Sequence, residues 1–203
     1  SFRPGELSNP FSLPQALLAT GYQYSSTATA NNSLTHLPYQ LNYDRLTDSE
    51  VELFEFPVTI EDEELPKMGD RLPEALEVAR QISRYGGVMV VLIHPNILDH
   101  KLAFEKGFVE GVRFYAWFGS VGEFGRWWAA RNQVQLDVAQ GERGGTVTIT
   151  TPESVAGLTL EVPGGWRFDP SRLSMKGIEQ RGTFVTLPEL KGVHTLTFAT
   201  GSR

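Results

Sequence analysis

Near Asn132 the chain changes the period at which its apolar residues recur, and that change limits the fold more than any single motif does. Beyond it, QVQLDV, GTVTITT, GLTLEVP, TFVTLP and VHTLTFAT alternate apolar and polar residues between Gly and Pro turns. Strict alternation puts one face of each segment on a core and the other in solvent, which predicts an antiparallel β-sandwich-like module of about seventy residues. Ahead of Asn132 the pattern mixes helical and strand-like stretches, as parallel β/α units do. Two domains are expected: 1–132, an α/β part, and 133–203, a small all-β accessory domain.

Within the first part, SLPQALLATG reads as a helix with Ser12 at its N-cap, Pro14 in its first turn and Gly21 just past its end. YQYSS follows as a short strand, residues 27–49 as a polar loop, and LFEFPVTI as a further strand. A helix capped by Asp70 carries Leu72, Leu76, Ala79 and Ile82 on one face and stops at Gly86-Gly87. Next comes VMVVLIHPN, six apolar residues bounded by glycines and by Pro95, which read as a strand buried on both faces. A helix over 99–112, a strand VRFYAWF, and a helix SVGEFGRWWAAR with an S-x-x-E capping box at Ser120 and Glu123 complete the expected elements.

The chain has 203 residues and a net charge of -6, so it lacks the clustered Lys and Arg that nucleic acid or an anionic membrane requires. Without cysteine it has no disulfide, thiolate nucleophile or cysteine-based zinc site. No segment reaches the roughly 20 continuous apolar residues of a membrane helix. The start at SFRPGEL, with neither an initiator methionine nor a signal peptide, reads as the interior of a longer protein.

His94 is the first candidate for chemistry, because it ends a buried strand on the side where loops of α/β proteins gather ligands, and imidazole exchanges protons near neutrality. Arg3, held extended before Pro4, could orient a carboxylate through a bidentate pair, or make an ordinary surface salt bridge. The run IEDEE (60–64) could ligate a hard cation, but no glycine turn fixes its spacing and a solvated loop is expected. His36 could face the same cleft as His94; His100 and His194 have less claim. No pair of histidines has metal-motif spacing, so no metal ligand is assigned within the chain. Trp117 is placed near a ligand at the end of its expected strand, whereas Phe124, Trp127 and Trp128 form the buried stripe of a helix. Trp166 either anchors the β module against the first domain or binds glycan. No G-x-S-x-G elbow or phosphate-binding glycine loop occurs.

Taken in order, FRPG, a helix ending in glycine, GYQYSS, EFPV, a helix and LIHP resemble the C-terminal half of the polysaccharide deacetylase (NodB-like) family of carbohydrate esterases, over about residues 1–131. The resemblance implies a partial distorted (β/α) barrel and removal of acetyl groups from N-acetylated sugars with a divalent metal, usually zinc. It implies that His94 is the general acid protonating the leaving amine, that Arg3 holds a catalytic-base aspartate, and that Val91 and Leu92 help line the acetyl pocket. It also implies a carbohydrate substrate and a cell-envelope or extracellular setting. Where relatives carry aspartate before the serines, Tyr24 is followed directly by Ser25. The family's aspartate pair and metal histidines belong upstream of FRPG, so this chain alone is expected to bind no metal and to be inactive. The alternative is a non-catalytic glycan- or protein-binding module on a degenerate deacetylase fold. The oligomeric state is not legible.

Overall fold

A computed structural model of the chain describes residues 1–42, 50–96, 99–172 and 176–200. It divides into two compact units, Ser1–Glu123 and Phe124–Arg203.

In the first unit, parallel strands position the groups of interest. Phe2 bridges Ser25 in parallel, and β1 (Tyr24–Ser25) runs parallel to β3 (Glu50–Glu55), which takes β2 (Tyr39–Asn42) antiparallel on its other side. A separate parallel pair joins β4 (Val58–Glu61) to β5 (Val90–Leu92). The stretch LFEFPVTI, expected as one strand, is therefore two, broken at Phe56-Pro57, because proline has no N–H to give a ladder. Among the described residues the strands of this mixed α/β chain form several sheets and no closed barrel.

Helix α1 (Leu13–Ala19) begins where expected, although the Ser12 side chain makes no cap bond. It ends in a Schellman motif: Gly21, at φ +78°, donates to Leu18 O (3.0 Å) and Tyr22 to Leu17 O (2.9 Å). The loop expected over 27–49 contains a single helical turn, α2 (Ala30–Ser33), capped by Thr29, and β2; residues 43–49 lie outside the described ones.

Helix α3 (Leu72–Ser83) follows a 3-10 turn at Met68–Arg71 that begins two residues ahead of the expected Asp70 cap. Its apolar face packs on α4 (Asp99–Val112) in a cluster of Ile60, Met68, Ala75, Phe104, Phe108 and Val112. Gly107 and Gly111 on α4 let the helices close. A Cβ there would stand 2.6 Å from Leu72 Cδ2 and 2.5 Å from Leu76 Cδ2. After α4 the expected strand VRFYAWF does not form. Backbone amides of Arg113, Tyr115 and Ala116 bond back to Val109 and Val112, continuing the helical turn, and residues 113–120 are all exposed, so no partner face exists for an alternating strand.

In the second unit, α5 (Val121–Asn132) starts with the expected capping box: Glu123 accepts from Ser120 N (2.8 Å) and Oγ (2.7 Å), and Ser120 Oγ accepts from Glu123 N (3.2 Å). The division between units falls within this helix rather than at 132/133. The reason is that Trp127, Ala130 and Val134 pack on the β core and the Trp127 indole donates to Ala156 O (2.8 Å). The β module has β6 (Gln135–Gly141), β7 (Gly144–Val155), β12 (Leu190–Thr200) and β9 (Trp166–Phe168) in one antiparallel sheet. A second antiparallel sheet orders β10 (Glu179–Arg181), β11 (Phe184–Thr186) and β8 (Thr159–Glu161). The alternating residues Val147, Ile149, Val185, Leu196 and Phe198 fill the core as their period requires. Trp166 is not a presented platform: it is 3% exposed and stacks on Phe198 at 5.4 Å within the module's own core. The short strands β9 and β10 carry too few alternations to announce themselves in sequence.

Candidate functional site

Parallel pairing of β4 with β5 brings the residues that leave their C-terminal ends side by side. Glu61 pairs with Leu92, so Asp62 and His94 emerge next to one another. Val58, Ile60 and Asp62 share the buried face of β4, and the Asp62 side chain is fully buried. Its Oδ1 accepts from His94 Nδ1 at 2.8 Å and its Oδ2 from the His94 backbone N–H at 3.1 Å. The Lys101 ammonium, entering from the first turn of α4, pairs with the same Oδ2. Burial is the largest effect on this carboxyl and would raise its pKa, but the hydrogen bonds from Lys101 and His94 together outweigh it and hold the value at about 2.

An ionised Asp62 accepts only, so Nδ1 of His94 carries the proton and Nε2 is the atom free to give or take one. The imidazole is 43% exposed, and among the described residues Nε2 has no hydrogen-bond partner. Glu63 Oε1 lies 3.8 Å from Nδ1. Lys101 also donates to His94 O (3.3 Å), Asn96 O (3.1 Å) and Asn96 Oδ1 (2.8 Å), which ties down the backbone following the histidine. The arrangement is an oriented imidazole at a surface, backed by a buried, charge-balanced carboxylate.

A second network surrounds Arg3. Its Nε donates to Ser26 O (3.1 Å) and Nη2 to Ser26 Oγ (2.7 Å), and Ser26 Oγ donates to Phe56 O (2.7 Å). Glu55, fully buried at the end of β3, accepts from Thr27 N (2.5 Å), Ala28 N (2.8 Å) and Thr27 Oγ1 (3.1 Å). Burial lowers the Arg3 pKa, and attraction to the Glu55 charge opposes it. Arg3 therefore spans β1 through a serine, and its nearest carboxylate influence comes from a residue already saturated by backbone donors.

The networks of Arg3 and His94 share no hydrogen bond or ion pair among the described residues. Arg3 is joined to Ser26, and through it to Phe56 ahead of β4, whereas His94 is joined to Asp62 just beyond the end of β4.

His36 sits beside β4, with Nδ1 3.4 Å from Thr59 Oγ1 and its carbonyl accepting from Val88 N (3.0 Å); burial lowers its pKa. Val91 packs on the helical cluster between the strands and α4, a core position, and Leu92 alternates to the opposite face, half-buried. Trp117 is 62% exposed in the segment after α4, its ring lying over Gly119, because the strand that was to carry it does not form. His194 Nε2 lies 2.9 Å from Lys191 O on the β module.

Sequence reasoning missed Asp62, Lys101 and Glu55. IEDEE is a solvated run only in part: Glu63 and Glu64 are exposed, and Asp62 is not. The signal for Asp62 was its period-two alignment with Val58 and Ile60, and that for Glu55 its alignment with Val51 and Leu53. The signal for Lys101 was a charge on the stripe of Phe104, Phe108 and Val112. A metal ion does not fit the closest constellation: Asp62 already holds the Lys101 ammonium and the His94 Nδ1–H, and among the described residues no three His, Cys, Asp or Glu are grouped to hold one. Among these residues, too, no helix is long and apolar enough to cross a membrane.

Comparison with family models, curated protein sequences and solved structures returns no match for this chain.

Proposed function

We propose that the first unit contributes the proton-donating part of a hydrolytic site for N-acetylated sugars, with His94 as the general acid that protonates the leaving amine. The observation that carries this reading is the 2.8 Å contact between His94 Nδ1 and the buried Asp62, which leaves Nε2 outward. An imidazole whose Nδ1–H is held by a buried carboxylate takes up a proton at Nε2, becoming imidazolium, and hands that same proton to the leaving amine along a defined direction, a contribution of about 10²–10⁴ in rate. Arg3, in this reading, supports the backbone of the site through Ser26. The groups that activate water are contributed by residues other than those described, and no step is assigned to them. The test is acetate release from N-acetylated oligosaccharides by the longest form of the protein its gene encodes, with divalent metal supplied. Replacing His94 by Gln is expected to lower turnover by at least about 10²-fold with the fold retained. Unchanged turnover in H94Q, or a wild-type protein that releases no acetate, refutes the reading.

A second reading, a non-catalytic glycan-binding module, is favoured by a different feature. A depression of about 460 Å³ on the first unit is lined by Asn9, Asn32, Ser33, Tyr39, Gln40 and Asn42, which are uncharged hydrogen-bonding side chains, together with the apolar Ala28 and Leu41, and by none of the His94 network. Titration of neutral oligosaccharides, with shifts confined to Asn32 and Gln40 resonances and no turnover, would establish it.

A further inference from the structure

Lys101 stands where local rules disfavour lysine. The first turn of a helix repels a cation, and lysine is rarely buried unless paired. Yet its side chain is only 9% exposed, on the stripe that α4 turns to the core. Its ammonium meets oxygens of Asp62, His94 and Asn96, of which only the Asp62 carboxylate is charged.

We propose that Lys101 is the resident counter-ion of Asp62 and, through it, a positioning residue for His94. By taking Oδ2 it turns the carboxylate so that Oδ1 meets Nδ1–H, and it balances the Asp62 charge that the ring faces, leaving Nε2 outward to exchange a proton. The ionisable groups facing the ring are Asp62 and Glu63 after β4, Glu61 at the end of β4, and Lys101 from α4. Three are acids, and among the described residues Lys101 is the cation paired with Asp62, while Arg71 is engaged by Glu61 O and Glu64. Without it the buried carboxylate is unbalanced and draws a second proton onto the ring, and a ring held as imidazolium no longer exchanges protons in both directions. The inference rests on the proposed role of His94 for its catalytic meaning, but its test reads the imidazole and not turnover.

The experiment is long-range ¹H–¹⁵N correlation of the labelled chain at mildly alkaline pH. In the wild type, His94 is expected to show one protonated nitrogen, Nδ1, and one lone pair. In Lys101→Met, which keeps the buried stem, the ratio of doubly to singly protonated ring is expected to rise about tenfold, the scale of one charge-assisted hydrogen bond. In the double variant that adds Asp62→Asn, the ring should lose this extra protonation. A folded K101M protein with the wild-type His94 signature overturns the proposal, since a purely structural lysine would lower stability without changing ring protonation. Should K101M fail to fold, the wild type decides: a buried, hydrogen-bonded ammonium gives a slowly exchanging Nζ signal with contacts to His94 and Asn96, and its absence overturns the proposal equally. If the ring responds as expected while H94Q retains turnover, the functional reading falls and the positioning role stands.

Discussion

The Asp62→Asn substitution tests the buried network most directly, because its cost should depend on pH in a way set chiefly by one group. In the folded chain the Asp62 carboxyl is lowered from 3.8 to about 2. A depressed carboxylate adds stability that is fully present above its unfolded value and is lost as pH falls through its folded value. A shift of nearly two units corresponds to about 2–3 kcal/mol, present at neutral pH and lost between about pH 4 and 2. The Asn variant lacks this contribution at every pH and also leaves the Lys101 ammonium buried without its counter-charge, a loss of about 3–5 kcal/mol at neutral pH. The assay is urea unfolding followed on methyl resonances of Val91 and Ala79, which report the helical cluster of the first unit. Glu61, which the Asp62 charge pushes up, and His94, which bonds Asp62, respond to the same substitution, so the difference reports Asp62 together with these two neighbours. The gap between wild type and variant should narrow by about 2 kcal/mol on going from pH 6 to pH 2. A gap that stays constant over that range would show that Asp62 is not the charge-balanced group described.

Further expectations concern separate parts of the chain. Gly107→Ala combined with Gly111→Ala should lower stability on the same resonances by about 1–3 kcal/mol, despite a helix-propensity gain of ~1 kcal/mol per site, because each new methyl meets a leucine below 3 Å. Glu55→Gln should cost about 2–4 kcal/mol, since an amide replaces one of the two oxygens that accept from Thr27 and Ala28; amide exchange at Thr27 and Ala28 checks it. Trp166→Ala should cost the β module about 3–5 kcal/mol, read on resonances of Val185 and Leu196, and retained stability would show that its ring is not part of that core. His94→Gln should cost no more than ~1 kcal/mol, since the ring is partly exposed and loses one hydrogen bond, which makes it the clean probe of function.

Much of the fold is legible in the sequence because it follows from local rules. Periods of two and of 3.6 announce the β module and helices α3 and α5; Gly21 announces the end of α1, and Ser120 with Glu123 the start of α5. The same rules, followed one residue further, pick out Asp62 and Lys101: each is a charge at a position whose period is apolar, and such a charge must have found a partner. Local rules stop at VRFYAWF, whose composition suits a strand but whose chain is still turning out of α4. They stop as well at Pro57, which splits a strand whose apolar pattern runs straight through it.

The sequence by itself determined the two architectures, the presence of His94 at the end of a strand, and the absence of cysteine chemistry, since each depends on residue type and short-range spacing alone. Tertiary structure decided the rest. It chose Asp62 among four neighbouring acids, matched it to a lysine from α4, gave Arg3 a serine as its direct partner, and placed α5 from Phe124 onward in the β unit. These are pairings between segments distant in the chain, and which segments meet is fixed by strand register and helix packing, quantities that no window of sequence contains.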